Sequence, residues 1–107
     1  MKPSQVRDQF TLAERSLSHA ALACEAIPDI PPSMRRRIAE WQRECQHMRT
    51  TLDTDYDPEH VRARVVALEQ AVQRLVQACR RRAVDGQVEI AVEHAHAVLA
   101  ELRSKLH

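Results

Sequence analysis

The chain has 107 residues, enough for one domain around one modest core and too few for two. One Gly and three aromatic residues (Phe10, Trp41 and Tyr56) disfavour sheets and their turns and suit helices, and a formal charge of +1 says nothing about partners until the charge is placed element by element. No stretch approaches the ~20 uninterrupted apolar residues that span a bilayer, and the run from Met1 to Asp8 leads into charge where a signal peptide would become apolar, so a soluble, cytoplasmic protein with no membrane partner is expected.

Ser4 reads as the N-cap of a first helix with a stripe of Val6, Phe10, Ala13, Leu17, Ala20, Cys24 and Ile27, spaced alternately by four and three residues. Pro28, Pro31 and Pro32 lack amide donors, so Pro28-Asp29-Ile30-Pro31-Pro32 reads as a stiff connector. Ser33 then reads as the cap of a second helix with the stripe Met34, Ile38, Trp41, Cys45, Met48 and Leu52. After the polar run Asp53-Thr54-Asp55-Tyr56, a third helix is marked by Asp57 as N-cap, Pro58 at the first helical position and Glu59 beside the positive helix end. Its seam is Val61, Val65, Leu68, Val72, Leu75 and Cys79, and it runs to about Arg82. Val84-Asp85-Gly86-Gln87 follows as a turn, with Gly86 expected in the left-handed C-terminal conformation.

The fourth helix carries Val88, Val92, Ala95, Leu99, Leu102 and Leu106, with further apolar residues around most of its circumference. Four helices of roughly 20 to 25 residues with short connectors predict an all-α, single-domain, up-down-up-down four-helix bundle over residues 1–107.

Several motifs imitate sites. Glu44-x-x-His47 and Glu93-x-x-His96, with Glu14 and Glu69 on the other helices, reproduce the ligand count of a di-iron bundle, but the stripes place them off or at the edge of the core-facing seam, so no metal and no cofactor are expected. Asp53-x-Asp55-x-Asp57 resembles the opening of a calcium loop, yet Pro58 stands where Gly is required and Arg64 where a bidentate Glu is required. His60 with Arg64 one turn on is the nearest approach to a phosphotransfer histidine and reads as a surface pair. Cys24, Cys45 and Cys79 are odd in number and form no C-x-x-C; at ~1.5 Å rise per residue Cys45 sits ~10 Å deeper in the bundle than the other two, and these occupy diagonal helices. Buried, reduced thiols are expected.

Two features resist a purely structural reading. Arg35, Arg36 and Arg37 open the second helix and Arg80, Arg81 and Arg82 close the third, so an up-down topology puts all six at one pole. The second helix (five Arg, two Glu) is +3 and the third (six Arg, two Glu) is +4, while the first and fourth are each −1. Arginine in a first turn opposes the helix dipole, which points to an anionic partner. Glu25, Asp29, Asp85 and Glu89 lie near the same pole. The second feature is a set of apolar residues facing away from the stripes, Leu12, Leu22, Val66, Ile90 and Val98, of which Leu22, Ile90 and Val98 mark a protein interface. The functional expectation is a non-enzymatic protein-interaction module, homodimeric or partner-bound through the first and fourth helices. Nucleic-acid or polyanion binding through the Arg-rich face is the alternative, and a di-metal or phosphotransfer enzyme the third reading.

Overall fold

The computed structural model describes residues 2–54 and 56–106, without the side chain of Asp53. Four helices follow one another: α1 (Pro3–Ala26), α2 (Pro32–Thr54), α3 (Pro58–Arg81) and α4 (Gly86–Lys105). Helix α1 packs along α2 and α4, and α3 packs along α4, leaving α1/α3 and α2/α4 as diagonals. Helices α2 and α3 approach each other only sparingly, so the square is open along that edge. The result is an elongated four-helix bundle of 40 × 21 × 18 Å.

Heptad spacing gives the core its membership. Every stripe residue of α1 from Val6 to Cys24, and every one of α3 and α4, is buried. Such spacing gathers the side chains on one face of each helix, and removal of that apolar surface from water drives the faces together. Trp41, expected in the core, is only half-buried and packs against it from α2. Ile30 is an addition: it lies in the proline connector yet is 4% exposed, a plug over the end of the core.

The helix starts differ from expectation in one consistent way. Ser4 and Ser33 do not cap; α1 begins at Pro3 and α2 at Pro32, one residue before each serine. Met34 and Arg35 donate their amides to the Pro31 carbonyl, and the Lys2 amide donates to Gln5 Oε1. A proline needs no amide acceptor and is already fixed at helical φ, so it takes the first helical position wherever it precedes a serine. Helix α3 starts as predicted: Asp57 Oδ1 accepts from the amides of Glu59 and His60 at 3.1 and 3.5 Å.

The α3–α4 turn also departs from expectation. Gly86 has no positive φ and opens α4, whereas Ala83 adopts the left-handed conformation at φ 51°. The Val84 amide reaches the Cys79 carbonyl at 3.1 Å and the Ala83 amide the Arg80 carbonyl at 3.3 Å, the paired bonds of a Schellman ending. Asp85, which accepts from the Gln87 amide at 2.9 Å, caps α4. The left-handed residue is the one after the α3 C-cap Arg82, and that position is an alanine.

Candidate functional site

Small residues decide where a groove can form. Ala20, Ala23 and Ala26 on α1 and Ala91 and Ala95 on α4 let these two helices lie close, and large side chains beside them stand proud of the surface. Leu22 is 60% and Ile90 67% exposed, the two most exposed large apolar residues of the described chain, followed by Leu12. A groove of about 380 Å³ runs between α1 and α4, lined by Ser16, His19, Gln87, Ile90, Ala91 and His94. It continues toward the connector pole past Leu22, Ala23 and Ala26, with His19 and Gln87 shared by both parts. Neither part is lined by Asp, Glu, Lys or Arg.

Of the three residues expected at this interface, the structure brings Leu22 and Ile90 to the groove but not Val98. Val98 is 8% exposed and belongs to the core. It widens the buried stripe of α4 beyond a strict heptad seam, as happens in globular bundles. Ser16 is the residue that the seam missed. It is 5% exposed, its hydroxyl lies 3.2 Å from the Leu12 carbonyl, and it shares a short hydrogen bond with His94 Nδ1 across the α1/α4 contact. Its signal was available in principle, because a Ser inside a helix can satisfy its hydroxyl on the carbonyl four residues back and so tolerate burial.

At the opposite side, the arginine clusters divide into two kinds. The first and third connectors do meet at one pole, where Ile27, Asp29, Ile30, Pro31, Arg82, Ala83, Val84 and Asp85 line a cleft of about 470 Å³. Arg35 is structural: half-buried, it donates to the carbonyls of Ile27 at 2.8 Å and Ile30 at 3.3 Å, holding the proline connector on the end of α1. Arg80 pairs with Glu93 of α4 at 3.1 Å. Arg36, Arg37, Arg81 and Arg82 are exposed and form no ion pair among the described residues.

The four carboxylates and His96 that imitate a di-metal set are drawn to neighbouring helices instead of converging, and His47 is exposed. Glu14 pairs with Arg49 at 2.6 Å, Glu44 with Arg64, Glu93 with Arg80, and Glu69 with Arg103 at 3.2 Å and His96 at 3.4 Å. Among the described residues no three His, Cys, Asp or Glu side chains are grouped to hold a metal ion. Glu69 is more buried than its place beside the stripe suggests, at 8% exposure, and its carboxylate is held by α4. His60 is exposed, and Arg64 turns away from it to Glu44. The Asp53-x-Asp55-x-Asp57 motif falls partly outside the described residues; Asp57 is the α3 cap.

The three cysteines are free and buried. Burial pushes the Cys45 thiol up to about 12, aided by Glu14 and Glu44 and opposed by Arg49. Cys79 is pushed to about 11, again mainly by burial, and its sulfur lies 3.9 Å from Met34 Sδ. Burial also raises Cys24, against the opposing charge of Arg35. These are neutral thiols acting as small apolar side chains.

The fold and surface define the class: an all-α four-helix bundle in which no helix, among the described residues, is long and apolar enough to cross a membrane. No protein-family model, no curated protein and no solved structure shows significant similarity to the chain.

Proposed function

We propose that this protein is a non-enzymatic, cytoplasmic interaction module that self-associates through the α1/α4 groove. The observation that carries the reading is the pair Leu22 and Ile90, 60% and 67% exposed, flanking a groove with no formally charged lining. Exposed apolar surface of this kind loses free energy to water until a partner covers it, at roughly 25 cal/mol per Å². A two-fold interface sets each patch against its own copy. The uncharged α1/α4 groove meets itself without repulsion, whereas the exposed arginines of α2 and α3 do not, which favours this face for a second copy. The interhelical pairing of every candidate carboxylate supports a non-enzymatic role, and three unpaired cysteines support a reducing compartment.

Sedimentation of the wild type beside Leu22→Asp/Ile90→Asp tests the reading. The wild type is expected to sediment as a dimer at micromolar concentration and the double variant as a folded monomer. A wild type that stays monomeric at all concentrations, or a variant of unchanged mass, refutes it.

A further inference from the structure

The charge that is left after internal pairing is concentrated on one side of the molecule. Among the arginines of α2 and α3, Arg49 and Arg80 are taken up by Glu14 and Glu93 of other helices, Arg64 by Glu44, and Arg35 by connector carbonyls. Arg36, Arg37, Arg43, Arg74, Arg81 and Arg82 remain exposed with no ion pair among the described residues, as does Arg62. The acidic side chains of these helices offset them little: Glu44 pairs with Arg64 and Glu69 with Arg103 of α4, which leaves Glu40 and Glu59 as the exposed glutamates of these two helices. Arg36 and Arg37 stand in the second turn of α2, on its N-terminal half, with no ion pair among the described residues.

The arrangement is regular. Arg36 and Arg43 on α2, and Arg74 and Arg81 on α3, are each seven residues apart, so each pair shares one stripe with ~10 Å between its members. The helices run antiparallel, and the Met34–Cys79 and Glu44–Arg64 contacts set their register: Arg36 lies nearly level with Arg74, Arg81 closer to the pole and Arg43 closer to the middle of the bundle, so the four are staggered along the face. We propose that this outer face of α2 and α3 binds the phosphate backbone of duplex nucleic acid. Guanidinium groups match phosphate oxygens two bonds at a time. Exposed Gln70, Gln73 and Gln77 on α3 add neutral donors of the kind that bond phosphate and sugar. Helices of 23 and 24 residues are ~35 Å long, about one turn of B-form duplex.

Two competing anionic partners fit less well. A membrane surface calls for apolar anchors among the cations, and the exposed large apolar residues Leu12, Leu22 and Ile90 all lie on α1 and α4. A single strand calls for aromatic platforms, and Phe10 is buried while Trp41 and Tyr56 are half-buried against the core. Binding through charge and backbone shape, without base readout, is what remains.

Fluorescence anisotropy with labelled mixed-sequence DNA and RNA duplexes of about 20 base pairs tests this. Saturable binding to at least one duplex at low salt is expected, and the stronger arm identifies the natural helix form. With about four phosphates engaged, affinity should fall roughly 100-fold between about 50 and 200 mM salt. The variant Arg36→Gln/Arg43→Gln/Arg74→Gln/Arg81→Gln should lose at least tenfold in affinity with unchanged circular dichroism and melting. The corresponding four Lys substitutions, which retain the charge, should retain most of the binding. Leu22→Asp/Ile90→Asp should still bind, so failure of the dimer reading leaves this result standing. No duplex binding at low salt, binding that the four Gln substitutions leave intact, or tighter binding to phosphatidylserine vesicles than to either duplex would overturn the proposal.

Discussion

The turn between α3 and α4 places its residues in the reverse of the order that its backbone favours, and exchanging two of them should stabilise the protein. Ala83 holds φ at 51°, where the Cβ of an L-residue crowds the following carbonyl at a cost of about 1–2 kcal/mol. Gly removes that crowding but loses more backbone entropy on folding, an opposing term of about 0.4–1 kcal/mol. Ala83 is exposed, so no packing is forfeited, and Ala83→Gly should gain about 0.5–1 kcal/mol. Gly86 has no positive φ, and a Cβ built on it meets nothing within 4 Å. Gly86→Ala should therefore gain about 0.4–1 kcal/mol by restricting the unfolded chain. Together the two changes are worth about 1–2 kcal/mol, which for a domain of this size raises Tm by roughly 4–8 °C. Urea unfolding of both single variants and the double variant measures it, with the midpoint moving and the m-value constant. A loss of stability in Ala83→Gly would show that the Schellman ending is not formed in solution, and a loss in Gly86→Ala would show that this position needs the freedom of glycine.

Two further predictions concern buried groups. The Cys45 and Cys79 thiols, raised by burial from 9.0 to about 12 and about 11, keep their protons in the folded state after the unfolded chain has lost them, so stability is intact below pH 9 and falls as pH rises toward 11. At pH 10 each contributes about 1 kcal/mol of that loss; Cys45→Ala should remove its share of the slope, and in the wild type Cys45 should resist a thiol reagent until denaturant is added. Arg103→Met should destabilise more than Glu69→Leu, by about 1–3 kcal/mol, because the first leaves a carboxylate whose side chain is 11% exposed with only His96 beside it, while the second frees a guanidinium that already reaches water at 42%; equal losses in thermal melts of the two variants would refute this.

What the sequence makes legible follows the strength of the physical signal. The 4-3 spacing sets helix, face and core together, because burying a seam such as Val61 to Cys79 contributes far more than any local propensity. Ends are decided by smaller terms. Ser4 and Ser33 as caps compete with Pro3 and Pro32 as first helical residues, and a difference of about 1 kcal/mol is enough to place both starts two residues earlier. Gly86 looked like the left-handed residue because it is the chain's one glycine, but that residue is the one after the α3 C-cap Arg82. At the surface, Leu22 and Ile90 were legible as outward-facing from the helical wheel, whereas Val98 was not, since the wheel does not say how closely a neighbouring helix approaches. Likewise the Arg35 run is one unbroken charge cluster in sequence. Only the fold of the proline connector over α1 shows that Arg35 is consumed by carbonyls and that Arg36 and Arg37 are not.

The two faces follow from a single packing choice. Small side chains let α1 lie close to α4, and the groove beside Leu22 and Ile90 that results has no Asp, Glu, Lys or Arg in its lining. The α2/α3 edge stays wider; among the described residues it is crossed by the charged pair Glu44–Arg64 and by the buried Met34–Cys79 sulfur contact. Pairing of the remaining acids toward α4 then leaves arginine in excess on the outer side of that edge. An apolar face and a cationic face therefore stand on opposite sides of one small bundle. Occupying the first with a second copy would carry the arginines of both protomers to opposite outer sides of a symmetric pair, about two bundle widths apart. In that arrangement each protomer can engage a duplex without obstructing the other, and the affinity for a long duplex should exceed that of the monomeric Leu22→Asp/Ile90→Asp variant only where both basic faces reach the same molecule.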